Sequence, residues 1–357
     1  MDGAKDIVAL SIPFAAGVAA AAAMPPGETC LYWTAAAACT AAGAMLCLSC
    51  GRGGRILAIM GTYFALGVLC WCSAALGGGT GRKCPDLAAR ALTALTGLID
   101  SAGFRGDETS ALLKALLTGQ RKALSTATAD AFRASGASHI LALSGLHLGV
   151  IYGVLTKVLS ILGNSRAGSA ARSVITVAAA GFYVLMTGAS PSIVRAFLFI
   201  AMNEWSRHSP GRRRRPVAVL CAALTVQLAI SPATISSLGF QLSYLAMLGI
   251  FLVFPQLEGW YPPGRKGDPM RMIWNSLALS LSCQIFTAPL VWWHFRTFPK
   301  YFLLTNLIAL PVTEVLITSS AAVLALNAAG ICPSFAVSAV DRLADALIFC
   351  LKIIAEM

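Results

Sequence analysis

Charge is what this sequence has least of. Of 357 residues, 12% are Asp, Glu, Lys or Arg, while 57% are hydrophobic. A soluble domain carries about 25% charged residues, so an ordinary water-facing surface is excluded. No Gly-x-x-x-x-Gly-Lys-[Ser/Thr] stretch occurs, which excludes ATP hydrolysis by a phosphate loop. The 11 cysteines lie largely in apolar runs, where thiols pack as small apolar groups. Cys47 and Cys50 have CxxC spacing, but no second pair or histidine partner completes a four-ligand site. No metal and no cofactor is therefore expected, and the alternating segments of a membrane β-barrel are missing too.

What the chain does have is apolar runs of roughly 20 residues, the length needed to cross the hydrocarbon core as helix. The expected fold is an all-α polytopic membrane protein with about 10–11 transmembrane or re-entrant helices. Residues 1–77 form a first segment with spans near Ile7–Met24, Thr29–Cys50 and Ile56–Leu76. Residues 78–138 are the one long polar stretch and are expected to be extracytoplasmic. They hold two short amphipathic helices, the first with Leu87, Ala91, Leu95 and Leu98 on one face and the second with Leu112, Leu113, Leu116 and Leu117 on one face. Such helices lie on the membrane surface or pack on the bundle. Residues 139–357 form the main membrane segment, with spans from His139–Gly163 to Phe335–Ile354. Phe302–Ala329 is long for a simple span and holds Pro311, which suggests a tilt, a kink or a re-entrant path.

The net charge is +12. Lys and Arg gather in cytoplasmic loops of membrane proteins, so this excess needs no nucleic acid to explain it. The most basic loop carries Arg207, Arg212, Arg213, Arg214 and Arg215. It and the Arg265–Arg271 loop fall on the cytoplasmic side when spans are counted, as does the N-terminus. The apolar run after Lys5 is long for a cleavable signal peptide and reads as a retained helix.

Three motifs stand out within the apolar segments. In Ser144-Gly145-Leu146-His147-Leu148-Gly149, Gly145, Gly149 and Gly153 recur every four residues, a stripe for close helix packing within one chain or in a homodimer. His147 at membrane depth faces a cavity or the bundle interior, or is a hydrogen-bonded packing residue. Ser144 and His147 share a helix face, which leaves an intramembrane serine hydrolase open, although no orienting carboxylate is near in sequence. In Gly188-Ala189-Ser190-Pro191-Ser192-Ile193-Val194-Arg195, Ser190 can cap a helix with Pro191 at its first position. A helix N-terminus at depth, with Arg195 one turn in, suits an anion. The plainer alternative is a kink with Arg195 snorkelling to a headgroup. The third motif, Gly239-Phe240-Gln241-Leu242-Ser243, sets Gln241 in an apolar helix, where its amide lines a polar path or bonds a neighbour; Gly239 reads as a packing glycine.

Four blocks in this order resemble the competence family: Ala134–His147, Leu185–Ala196, Gly239–Ser243, and Ala288–Leu290 followed by Thr305–Pro311. The resemblance spans Asp107 to Pro311. It implies a channel of the bacterial cytoplasmic membrane that passes single-stranded DNA into the cell during natural transformation. Ser144, Gly145, His147, Gly188, Ser190, Pro191, Ser192, Arg195 and Gln241 would lie along the conduit. The implied partners are single-stranded DNA, membrane lipid, an external DNA-delivery protein and a cytoplasmic helicase or ATPase motor. Two features common in the family are missing. Residues 78–138 are too short and too helical for an OB-like domain, and no His-x-His-x-Asp-His motif marks a metallo-β-lactamase-like nuclease. A small-anion transporter on the same fold is the main alternative.

Overall fold

The computed structural model describes residues 3–23, 34, 36–37, 40, 52–76, 86–163, 165–207, 216–262, 268–296 and 300–357. Most of the second expected span, the Cys47–Cys50 pair, Arg212–Arg215 and the Arg265–Lys266 pair lie outside the described residues. Among those described, every regular element is helical. Five helices are long and apolar enough to cross a membrane: Ile56–Ala75, Ala167–Met186, Leu238–Glu258, Pro269–Phe295 and Phe302–Ala328. Shorter apolar helices run over Ile7–Ala22, Gly145–Ile161 and Pro216–Ile230. The chain is an all-α polytopic membrane protein.

The described residues divide into two compact units. The first comprises Met1–Lys83 and Leu198–Phe251. It contains α1 (Gly3–Ala22), α2 (Arg52–Leu76), the distal part of α9 (Pro191–Arg207), α10 (Pro216–Ile230) and most of α11 (Leu238–Leu252). Its core is built by Phe14, Val18, Leu220, Leu228, Phe240 and Tyr244. Helices α1 and α2 cross at two glycines. A Cβ on Gly17 would drive into the Phe64 carbonyl, and one on Gly67 into that of Phe14. This is the close backbone approach that small residues permit between membrane helices.

The second unit comprises Cys84–Phe197 and Leu252–Met357. Here α3 (Asp86–Ser101), α4 (Asp107–Thr118) and α5 (Thr126–Ala134) pack with α14 (Phe302–Ala328) and α15 (Ser334–Glu356) around one core. The amphipathic helices thus pack on the bundle. Leu112, Leu113, Leu116 and Leu117 are all buried, as their spacing requires, while Leu87 stays 68% exposed. Two hydrogen bonds fasten the segment along the length of α14. Thr305 Oγ1–H donates to the Ser135 carbonyl (2.8 Å), and Asn327 Nδ2–H donates to Ser101 Oγ (3.1 Å).

Two elements bear on those expectations, the first fitting the tilted alternative and the second departing from a span. Helix α14 runs unbroken through Pro311 for 27 residues. That is about 40 Å of helix, against a hydrocarbon core of about 30 Å. Helix α15, expected as a span, is amphipathic. It buries Val340, Ala344, Leu347 and Leu351 but exposes Arg342, Asp345, Lys352 and Glu356 along its outer face. Four ionisable groups on one face are costly in lipid, and α15 is not among the five helices fit to cross.

The expected span from His139 is also divided. A short helix α6 (Ser138–Leu141) ends at Ala142, and α7 (Gly145–Val158) starts afresh at Ser144. At 14 residues, α7 is about 21 Å long, too short to cross alone. The second unit therefore contains two interrupted apolar runs, one at Ser144 and one at Ser190.

Candidate functional site

Ser144 has extended backbone (φ −118°, ψ 173°) and caps α7. Its Oγ accepts the Leu146 N–H at 3.3 Å, and the Ser144 N–H donates to His147 Nδ1 at 3.1 Å. This is a capping box with histidine in place of the usual Glu or Gln, so two orphan donors of the first turn are met reciprocally. Because Nδ1 accepts, a neutral His147 carries its proton on Nε2. His147 is 1% exposed, and Nε2 has no hydrogen-bond partner. Ser144 Oγ also lies 3.1 Å from His147 Nδ1, but the carboxylate that would orient a hydrolytic base does not meet Nε2.

The second interruption is built differently. Helix α8 (Arg166–Met186) ends in a Schellman-type turn, in which the Ala189 N–H donates back to the Val184 carbonyl at 2.9 Å. Gly188 (φ 81°) and Ala189 (φ 52°) are both left-handed, which glycine accepts freely and alanine does not. Helix α9 then starts at Pro191, as the sequence predicts. Ser190, however, does not cap through its side chain: its Oγ is buried without a partner, while its carbonyl accepts the Val194 N–H at 3.0 Å.

One turn into α9, Arg195 is buried, with 8% exposure, rather than snorkelling outward. Its guanidinium turns to the start of α7. A methyl group built on Gly145 would lie 3.8 Å from an Arg195 guanidinium nitrogen and 3.4 Å from Ala196 Cβ. Gly181 packs in the same way on the Phe197 ring. The Arg195 charge also acts on Cys283 in α13 (Pro269–Phe295). A guanidinium and the positive end of a helix thus share one buried place, an arrangement that favours an anion.

The remaining motif residues are placed otherwise. Pro191 and Ser192 are half-buried at the start of α9, and Gly188 is exposed. Gly149 and Gly153 have nothing within 4 Å of an added Cβ, so of that stripe only Gly145 meets a neighbour among the described residues. Gly239 is equally open. Gln241 belongs to the first unit, where its Nε2–H donates to the Ile235 carbonyl at 2.9 Å. Arg207 is exposed and meets the buried carboxylate of Glu204 at 3.4 Å. Among the described residues no cluster of His, Cys, Asp or Glu could hold a metal through three such ligands.

Sequence reading missed most of the remaining polar groups in the second unit, though not Asn306. Tyr183 O–H donates to the Leu117 carbonyl at 2.7 Å, which ties α8 to α4. Thr176 Oγ1, Asn275 Oδ1, Asn306 Oδ1 and Thr313 Oγ1 are buried without partners. Asn306 is conspicuous in an apolar run. Thr176 and Thr313 are not, since threonine usually returns its hydroxyl to its own helix.

The family model described as "Competence protein" matches residues 116–357. ComE operon protein 3 of Bacillus subtilis (strain 168) is 25% identical over 213 residues, covering 57% of this chain and 25% of that protein. The chain thus spans about a quarter of that relative's length. No solved structure matches. The family match takes in both interrupted helices, Arg195 and the Gln241 motif, and covers more than half of the sequence: this chain belongs to the competence protein family.

Proposed function

We propose that this chain is a conduit for single-stranded DNA across the bacterial cytoplasmic membrane during natural transformation. The observation that carries the reading is the Arg195 guanidinium buried against the first turn of α7. Translocated DNA is a polyanion, and a fixed cation beside helix N–H groups offsets part of the cost of taking each phosphate out of water. Ser144, Gly145 and His147 from one interruption, with Gly188, Ser190, Pro191, Ser192 and Arg195 from the other, form the anion-facing part. Gln241, in the first unit, is a conduit residue by the family resemblance alone.

Moving a phosphate toward a negative interior costs about 2.3 kcal/mol per charge per 100 mV. Transport therefore needs a cytoplasmic helicase or ATPase motor, and an external protein to deliver the strand. The basic stretch from Arg207 to Arg215 faces the cytoplasm with the N-terminus, where strand and motor would meet. The chain performs no chemistry of its own in this scheme: Ser144 caps a helix, and His147 Nδ1 is taken by the Ser144 N–H.

The burial of Arg195 also favours a second reading, a transporter of a small anion, because a closed site suits a small solute better than a polymer. Uptake of labelled DNA and of labelled inorganic phosphate separates the two. Cells carrying wild type, Arg195→Ala or Arg195→Lys are compared at equal protein abundance. The DNA reading expects DNA uptake to fall by about 10- to 100-fold in Arg195→Ala and by less in Arg195→Lys. DNA uptake unchanged in both variants would remove it.

A further inference from the structure

Between α4 and α5 the chain makes a turn over residues 119–125 that holds two cations in water. Gly119 closes α4 with a left-handed backbone (φ 79°), and its N–H donates to the Ala115 carbonyl. The Gln120 N–H donates to Thr118 Oγ1 at 3.4 Å, and the Leu124 N–H donates to the Arg121 carbonyl at 3.2 Å. Leu124 packs on the core of the second unit, and Ser125 caps α5. The backbone is thus fixed at both ends, while Arg121 and Lys122 between them are exposed. Nearby, Lys114 meets Asp100 and Arg133 meets Asp130, both at 2.6 Å. Arg121 and Lys122 meet no carboxylate among the described residues.

Exposed cations are ordinary, and by themselves mark only a wet turn. The seat of this turn sets it apart. A Cβ on Gly119 would lie 2.6 Å from Leu143 Cδ1, so the turn rests on the residue that precedes the Ser144 cap of α7. Two residues earlier, the Leu117 carbonyl accepts the Tyr183 O–H at 2.7 Å, in the last turn of α8 before the left-handed Gly188 and Ala189. One segment therefore touches both interrupted helices. Arg121 is two residues, at most about 7 Å of chain, from Gly119.

We propose that this turn is a phosphate-binding collar at the outer mouth of the conduit, where Arg121 and Lys122 hold the backbone of the incoming single strand before it reaches Arg195. The role rests on the DNA reading, whose topology makes residues 78–138 extracytoplasmic. Phosphate contacts carry no sequence information, which suits a conduit open to any strand. Two cations on a fixed turn gather a polyanion from solution, and the buried guanidinium meets it only at depth. A lipid headgroup also offers phosphate, but the seat on both interrupted helices favours the strand.

The test is binding of a fluorescein-labelled oligothymidylate to the full chain in phosphatidylcholine nanodiscs, read by anisotropy from about 50 to about 200 mM salt. Each phosphate contact to a single strand adds about 0.7 to the slope of log affinity against log salt. Arg121→Ala combined with Lys122→Ala should weaken binding and flatten that slope by about 1.4, so that its deficit shrinks about sevenfold across the range. The exchange of Arg121→Lys with Lys122→Arg should keep the wild-type slope. The proposal is overturned if the double alanine variant keeps affinity and slope, or if wild type binds no oligonucleotide. An unchanged slope, with phosphatidylglycerol retained by wild type and lost from the double variant, assigns the turn to lipid instead. Uptake in the Arg195 variants reports on the DNA reading separately: loss of uptake there with an unchanged slope here removes the collar alone.

Discussion

The two units of this protein differ in how completely they pair their buried polar groups. In the first unit, each such group has a partner among the described residues. Tyr244 O–H donates to Gln227 Oε1 at 2.9 Å, Thr225 Oγ1–H donates to Ser11 Oγ at 2.9 Å, and Glu204 meets Arg207. In the second unit, seven buried side-chain atoms have none: His147 Nε2, Thr176 Oγ1, Ser190 Oγ, Asn275 Oδ1, Asn306 Oδ1, Thr313 Oγ1 and Asp341 Oδ1. Each would cost about 1–3 kcal/mol if left dry, and seven such costs would consume the stability of an ordinary domain. The economical account is that water or a ligand reaches them. On that account the first unit is a dry scaffold, and the second admits water or a ligand to the polar groups around both interrupted helices.

Breaking the contrast at its charged centre should have the largest effect. Arg195→Ala removes a charge-assisted contact worth about 1.5–3 kcal/mol and should cut DNA uptake by about 10- to 100-fold at normal abundance, as read by internalised label. Arg195→Lys should fall between that variant and wild type.

Next comes the scaffold. Gly17→Ala forces a Cβ into the Phe64 backbone, and overpacking of this kind costs about 1–3 kcal/mol. Thermal unfolding in detergent should occur at lower temperature, with a further fall for Gly17→Leu.

The third effect tests wet against dry directly. Tyr244→Phe deletes the hydrogen bond to Gln227 Oε1 in the first unit and should cost about 0.5–1.5 kcal/mol. Thr313→Val in the second unit deletes a hydroxyl with no protein partner and should leave thermal stability within about 0.5 kcal/mol of wild type.

Of similar size is the strain at the second interruption. Ala189→Gly relieves a left-handed alanine (φ 52°) and should stabilise the chain by about 1 kcal/mol.

The smallest effect concerns Glu108 in α4. Burial alone would raise its carboxyl, but hydrogen bonds from Thr128 and Ser125 and the Lys352 charge outweigh it and hold the group below the usual glutamate range. A depressed carboxyl stabilises the fold above the unfolded value of about 4.3, and that contribution is lost as pH falls through the folded value. Wild type should therefore lose melting temperature faster than Glu108→Gln below about pH 4.3.

Much of this contrast was legible in sequence, and the rest was hidden for physical reasons. The turn at Gly188–Pro191 was readable because glycine and proline have few uses inside an apolar helix. The amphipathic helices of residues 78–138 followed from leucine spacing, and their burial on α14 and α15 completes that reading. The break at Ser144 was not legible, since His139–Gly163 has the composition of one continuous span and only the cap geometry divides it. Helix α15 misled because length and mean hydropathy suit a span, whereas Arg342, Asp345, Lys352 and Glu356 make it two-faced. The Gly145–Gly149–Gly153 stripe drew attention that belonged to Gly17 and Gly67, which have no periodic partner in sequence and meet only across two helices. That Gly145 and Arg195 share one place is a tertiary fact, since fifty residues of chain separate the two motifs.

The central claim is that water penetrates the second unit and not the first. Ser190→Cys, Thr313→Cys and Ser11→Cys place a thiol at two unpartnered positions of the second unit and one bonded position of the first. Each full-length variant is exposed in membranes to a small water-soluble thiol reagent, and labelling above that of the parent chain is measured. The account predicts labelling at Cys-substituted 190 and 313 and protection at 11. Equal protection at all three positions would contradict it.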